Sequence, residues 1–318
     1  MNRRHLKTFI LILIIAIIFA NFIIISQEIK NSVLSSIYLF IDVLIPSLLP
    51  FFVFVDILNH YHLTEFFGSI ISKPFSKIFG MDDTSFFIYL FSLISGFPTS
   101  TKMIVDACNN NSLNIKRANR LILFCHSPNI IFVINVIAIG FIGNKKYWLA
   151  IFLTYLTSTV IIALFTREKN ATSTSKIKKH YLNVYQKNNQ GISLNELLSD
   201  SIINSSKILL NIFIIVTTFF VLLGSLNYYF NFNSVTKLVF YSFFEFTQGL
   251  TYIKYINNRY FILLAVTTAL SFSGISVHMQ VKSILINSKI KYSQFLKGRI
   301  IQTIITIPIA YIYYKLLL

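Results

Sequence analysis

The sequence predicts an all-α polytopic membrane protein of about 8–10 membrane segments, some broken or re-entrant, arranged in two repeat-related and inverted halves. Three observations predict it. The 318 residues are 55% hydrophobic and only 12% charged, with mean hydropathy +0.67. Several apolar runs approach or exceed the roughly 18 residues that cross a bilayer. In each half an apolar run is interrupted by Ser-Gly and continues as a more polar helical stretch. The expected organisation is an N-terminal helix over 1–28, a first repeat over 29–166, a basic cytoplasmic loop over 167–195 and a second repeat over 196–318.

Taking the chain in order, Asn2-Arg3-Arg4-His5-Leu6-Lys7 is basic and precedes the apolar run Phe9 to Ile25. No small-x-small cleavage site follows, so this reads as an uncleaved helix with a cytoplasmic N-terminus. Val33 to Leu58 is the second helix, kinked by Pro46 and Pro50. Its Asp42 is costly in lipid and is expected to face the interior or an interface. His60 to Gly80 places Phe66, Phe67, Ile70, Ile71, Phe75, Ile78 and Phe79 at helical spacing around charged residues and Pro74, the pattern of an amphipathic piece on the membrane surface. Asp56, His60 and His62 lack a fourth ligand and make a poor metal set.

Phe86 to Ile94 then runs into Ser95-Gly96-Phe97-Pro98-Thr99-Ser100-Thr101-Lys102. Gly96 is too free and Pro98 lacks an N–H, so the helix is expected to break here. A break between apolar flanks is tolerated only inside protein or beside water, and the exposed N–H groups that start the second half-helix favour a negative group. Lys116, Arg117 and Arg120 follow, which makes 84–110 a candidate re-entrant hairpin. Leu121 to Ile142 holds Cys125-His126-Ser127-Pro128-Asn129. Pro128 forbids regular helix there and brings His126 and Asn129 into reach of the first break. Tyr147 and Trp148 fit an interface belt at the start of the next span, which ends at Phe165.

In the second half, Asn204 to Leu226 spans, and Val235 to Leu250 carries Phe244-Glu245-Phe246-Thr247-Gln248-Gly249. Glu245 needs a partner, a proton or a coupling cation. Tyr260 to Leu270 leads into Ser271-Phe272-Ser273-Gly274-Ile275-Ser276-Val277-His278-Met279-Gln280, a second interrupted run. Lys289, Lys291, Lys297 and Arg299 form a basic flank before the last helix, Ile300 to Leu318. Ser95-Gly96 and Ser273-Gly274 thus pair as equivalent breaks. The 24 residues from Gly96 to Arg120 match the 25 from Gly274 to Arg299. Paired interruptions point to a binding site at the interface of inverted repeats. Inversion on this pairing sets the 289–299 group outside, against the positive-inside bias.

The net charge of +17 does not indicate a nucleic-acid partner, because the cations sit in short loops and flanks. Two cysteines, Cys108 and Cys125, give neither a disulfide framework nor a metal spacing. No nucleophile–base pair, phosphate loop or metal motif is present, so no enzyme activity and no cofactor are expected.

Ser95-Gly96-Phe97-Pro98 with Lys102, the Cys125–Asn129 stretch, Glu245 to Gly249, and Leu270 to Gln280 resemble the YlbJ-like sporulation integral membrane proteins over about residues 30 to 318. Phe97, Ser100-Thr101 and His126-Ser127 differ from the usual family pattern. The resemblance implies a nucleoside-recognition or Gate domain, shared with concentrative nucleoside transporters and the membrane region of ferrous-iron transporters. It implies passage of dipicolinate, a small aromatic dianion, across the outer forespore membrane of a spore-forming bacterium. Nucleoside transport and a non-transporting septal scaffold are the alternatives. The expected solute site comprises Ser95, Gly96, Pro98, Thr99, Ser100, Lys102, His126, Asn129, Glu245, Gln248, Ser273, Gly274, Ser276, His278 and Gln280. Lys102 and half-helix N–H groups would hold carboxylates; membrane lipid and a second copy of the chain are the other expected partners.

Overall fold

A computed structural model describes residues 9, 12, 13, 16, 20–61, 63–71, 78–168 and 194–318. The N-terminal basic stretch and most of the first apolar run, the Lys73–Lys77 part of the amphipathic piece, His62 and most of the basic loop lie outside these residues.

The described chain is helical, with no strand. Helix α1 (Ser26–Leu39) passes through a π-helical turn (Phe40–Leu44) into α2 (Ile45–His60). The second helix is therefore longer than 33–58. The π turn directly precedes Pro46, whose ring would clash with the carbonyl four residues back in a regular α-helix. Asp42 lies in that turn and is exposed on the outer surface rather than facing the interior. The short apolar α3 (Leu63–Ile71) packs on α4 (Asp83–Ser95). Asp82 caps α4 by accepting from Ser85 N at 2.9 Å. The chain breaks at Gly96 (φ +80°) and resumes as α5 (Thr99–Asn109). Asn114 caps α6 (Ile115–Leu121), after which Cys125–Asn129 is non-helical, as Pro128 requires. A π-helix (Phe132–Phe141) and α7 (Tyr147–Phe165) complete the first half.

The second half opens with α8 (Leu194–Phe230), whose 37 residues exceed the expected 204–226 span at both ends. Then α9 (Ser234–Phe244) stops at Glu245, whose backbone is extended (φ −137°, ψ 102°), and α10 (Phe246–Leu250) follows. In sequence Val235 to Leu250 is one apolar segment through this point; the structure breaks it. Helices α11 (Arg259–Phe272) and α12 (Gly274–Leu285) meet at two consecutive left-handed residues, Ser273 (φ 74°) and Gly274 (φ 70°). Helix α13 (Tyr292–Leu317) closes the chain. Five stretches among the described residues are long and apolar enough to cross a membrane: 26–58, α7, 195–230, 259–285 and α13.

A few contacts fix the directions. Tyr229 Oη donates to Asn21 Oδ1 at 3.0 Å, and Ser36 Oγ lies 2.9 Å from Thr217 Oγ1, so α8 runs antiparallel to α1–α2. Arg117 in α6 reaches Asp82 at 2.5 Å, so the chain is back at the face where α4 began and α4–α5 is a re-entrant hairpin. Lys291 N donates to Asn119 Oδ1 at 2.8 Å, which sets the start of α13 on that same face. Tyr260, at the start of α11, packs against Tyr311 and Tyr314 near the end of α13, with centroids 5.6 and 5.4 Å apart. Hence α11–α12 is a full crossing with a break inside it, and α9–α10 leaves and re-enters from the opposite face.

Each half therefore reads crossing, hairpin, broken crossing, straight crossing, and the two halves enter from opposite faces. This corrects the pairing of the two Ser-Gly sites. The hairpin tip at Gly96–Pro98 corresponds to the break at Glu245, and Cys125–Asn129 corresponds to Ser273-Gly274. The charge objection to inversion disappears, because the 289–297 lysines share a face with Lys116, Arg117 and Arg120. One core, with Ile88, Ile104, Phe124 and Val133 from the first half and Leu263, Val266, Val277 and Phe295 from the second, joins the halves. A smaller cluster of Phe52, Ile212, Val216 and Phe220 fastens α2 to α8.

Candidate functional site

Three of the four interruptions line one central cavity, and the half-helix that starts at the fourth, α12, completes its wall. Its wall takes Phe97 and Pro98 from the first hairpin tip, Pro128 and Asn129 from the first broken crossing, Glu245 to Thr247 from the second tip, and Val277 and Gln280 from α12. Leu48 and Ile212 close it from α2 and α8. The cavity is about 40 Å³, room for a few waters, whereas drug-sized ligands occupy roughly 300 Å³ or more. The conformation is closed around its centre.

Glycine lets the interrupted segments meet. A Cβ on Gly96 would lie 2.7 Å from Asn129 N, so the first tip sits directly on the first broken crossing. A Cβ on Gly274 would lie 3.1 to 3.2 Å from Phe244 O and Phe246 N, the same contact in the second half made from the other partner. The tips also touch each other: Phe97 packs edge-on to Phe246 at 5.6 Å.

Of the expected site residues, Pro98, Asn129, Glu245 and Gln280 line the cavity. Glu245 is buried and caps α10; one oxygen accepts from Thr247 N (3.0 Å) and Thr247 Oγ1 (2.6 Å), the other from Ser276 Oγ. No cation bonds to it among the described residues. Ser273 Oγ is turned back to Leu270 O, and His278 lies between Phe272 O and Tyr292 Oη at 2.9 Å each, away from the cavity. His126 stands behind Phe97, stacked on it at 4.6 Å, with both ring nitrogens buried and without a hydrogen-bond partner among the described residues. The hydroxyls of Ser95, Thr99, Ser100, Thr101 and Ser127, the Asn129 amide nitrogen and Gln248 Oε1 are likewise buried without a partner among the described residues. Eight such residues, seven of them in or beside the two breaks of the first half, make a locally polar interior, unusual for a packed core.

Lys102 does not face the cavity. Its ammonium pairs with Asp56 on α2 and with Asp106 at 3.0 Å on its own helix, so its charge is already met by two carboxylates. The same pairing removes Asp56 from the weak metal set, and no group of three metal-ligating side chains occurs among the described residues.

Sequence reasoning missed Arg299. In sequence it belongs to a basic flank, yet in the structure it is fully buried. Its guanidinium donates to Leu123 O (3.0 Å) and His126 O (3.2 Å) in the first broken crossing, to Ser271 O (3.3 Å) in the second, and to Tyr155 Oη (2.9 Å) on α7. Breaking a helix leaves carbonyls without partners; one planar fork satisfies those of both breaks. Arg120 does comparable work at the edge, donating to Phe79 O, Gly80 O and Ala163 O at 2.6, 2.5 and 3.0 Å. The available signal was position: Arg299 is followed at once by the apolar run from Ile300, where a charge inside a span marks a functional or structural site.

The fold and cavity define a polytopic membrane protein built of inverted halves whose interrupted segments meet at its centre. In sequence the chain is similar to the sporulation integral membrane protein YlbJ of Bacillus subtilis (strain 168), at 24% identity over 298 aligned residues that cover 82% of this chain and 71% of that protein. This relative supports the resemblance to the YlbJ-like proteins. No protein-family model matches the chain, and no solved structure matches it.

Proposed function

We propose that the protein is a transporter or facilitator for a small solute, acting in a membrane during sporulation. The observation that carries this reading is the convergence on one cavity of both hairpin tips, the first chain break at Pro128-Asn129 and the half-helix α12 that starts at the second break; midplane sites of secondary transporters are built from such discontinuous helices. The sporulation context rests on the relative's name. The nucleoside-recognition or Gate architecture implied by the resemblance agrees with two hairpins and two broken crossings. The face bearing Lys116, Arg117, Lys289 and Lys291 is assigned to the cytoplasm by the positive-inside rule.

Two substrate readings follow. Dipicolinate, and with it the outer forespore membrane, comes from the family resemblance. The cavity wall favours the second reading, an uncharged aromatic solute with hydrogen-bonding edges, such as a nucleoside. Phe97, Phe132 and Phe246 supply faces for stacking, Asn129, Glu245 and Gln280 supply polar edges, and among the described residues no cation lines the wall. A dianion would meet the Glu245 carboxylate with no compensating charge. The closed cavity requires that the hairpins move apart to admit either solute.

The deciding experiment compares uptake of labelled dipicolinate and labelled uridine by proteoliposomes carrying the wild type or Glu245→Gln. Uridine uptake that falls at least tenfold in the variant supports the nucleoside reading. Dipicolinate uptake that persists or rises in Glu245→Gln supports the anion reading, because the repelling charge has gone. Uptake of neither, together with normal spores from Glu245→Gln cells and defective spores from a deletion, would replace transport by the scaffold role.

A further inference from the structure

A second cavity, of about 700 Å³, opens on the face assigned to the cytoplasm and lies outside the central site. Three elements distant in sequence build it: α6, the end of α7, and the start of α13. Lys116, Arg120, Arg167 and Lys291 line it, against one acid, Glu168. That acid is engaged elsewhere, since Glu168 Oε2 accepts from Arg117 Nε at 3.3 Å. Lys116, Arg167 and Lys291 make no ion pair among the described residues. Arg120 spends its terminal nitrogens on three carbonyls, and its Nε is buried without a partner among the described residues.

The fold holds these like charges together rather than letting them spread. Arg120 bolts α6 to the Phe79-Gly80 turn and to the end of α7, and the Lys291 N to Asn119 Oδ1 bond joins the start of α13 to α6. Four cations held around one open cavity repel one another, and a bound anion relieves that repulsion. Basic pockets between membrane helices on the cytoplasmic side fit phosphate-bearing head groups. We propose that this cavity is a phosphate-anion site, filled by the head group of an anionic phospholipid or by a soluble phosphate.

The test uses the full chain purified in neutral detergent. Its thermal unfolding is followed with added phosphatidylglycerol, with phosphatidylcholine, with inorganic phosphate, and with chloride at matched ionic strength. The comparison variant is Lys116→Gln/Arg167→Gln/Lys291→Gln, which leaves the structural Arg120 in place. A midpoint raised by phosphatidylglycerol but not by phosphatidylcholine, with at least tenfold weaker apparent affinity in the variant, assigns a lipid head group. The same pattern with inorganic phosphate over chloride assigns a soluble anion. If the triple variant does not fold, Lys291→Gln alone, at an exposed position, is expected to weaken binding by at least threefold. Equal shifts in wild type and variant, or no response beyond that of chloride and phosphatidylcholine, would overturn the proposal.

Discussion

Arg299 shows how a single residue reconciles irregular backbone with an apolar surrounding. Its four acceptors come from both broken crossings and from α7, and each buried acceptor left unpaired costs about 1–3 kcal/mol. Arg299→Met is therefore expected to lower unfolding stability by more than about 3 kcal/mol, measured by denaturant titration in detergent micelles. Arg299→Lys should recover only part, because a point charge on a flexible stem cannot serve acceptors on three elements at once. An unchanged midpoint in both variants would mean that the carbonyls find other partners. Lys102 is the contrasting residue. From sequence it is a free cation next to a helix break; in space two carboxylates, one of them 46 positions away, claim it.

Among the elements, the close seat of α13 against the turn after α6 depends on Gly298. A Cβ there would overlap the Leu123 carbonyl oxygen and lie 2.7 Å from Leu123 Cα. Backbone cannot rotate aside as a side chain can, so Gly298→Ala is expected to push α13 outward and cost about 1–3 kcal/mol. It should also loosen the neighbouring Arg299 grip on Leu123 O. Gly143 is the control. It has φ +73° but open space around it, so Gly143→Ala pays only for the left-handed backbone, about 1 kcal/mol. Thermal unfolding of the two variants side by side distinguishes them; equal losses would show that the α13 seat is not tight. The element breaks also differ in how visible they are. Gly96-Pro98 and Pro128 announce theirs through residue type. The break at Glu245 has no proline, and its only local sign is a capping carboxylate two residues before Thr247, a signal that an apolar run easily hides.

For the molecule as a whole, the directions of the segments make a topological prediction. Single cysteines at Asn111 and Asn287, in a background without Cys108 and Cys125, should react with an impermeant maleimide from the same side of the membrane. Cysteines at Asn144 and Asn231 should react from the other. All four positions are exposed. Labelling of Asn111 and Asn287 from opposite sides would break the hairpin assignment of α4–α5 and the repeat pairing that rests on it.

The sequence by itself determined the membrane class, three of the four interruptions, the existence of two halves and the polar character of the first break, because each is local: apolar run length, Gly and Pro backbone limits, and hydroxyl-rich composition. Only the tertiary structure decided which break corresponds to which, that Lys102 is spoken for, that Arg299 lies in the interior, and that Glu245 rather than a lysine faces the cavity. Those facts depend on which distant segment supplies the partner for a charge or a carbonyl, and spacing along one chain carries no record of that partner.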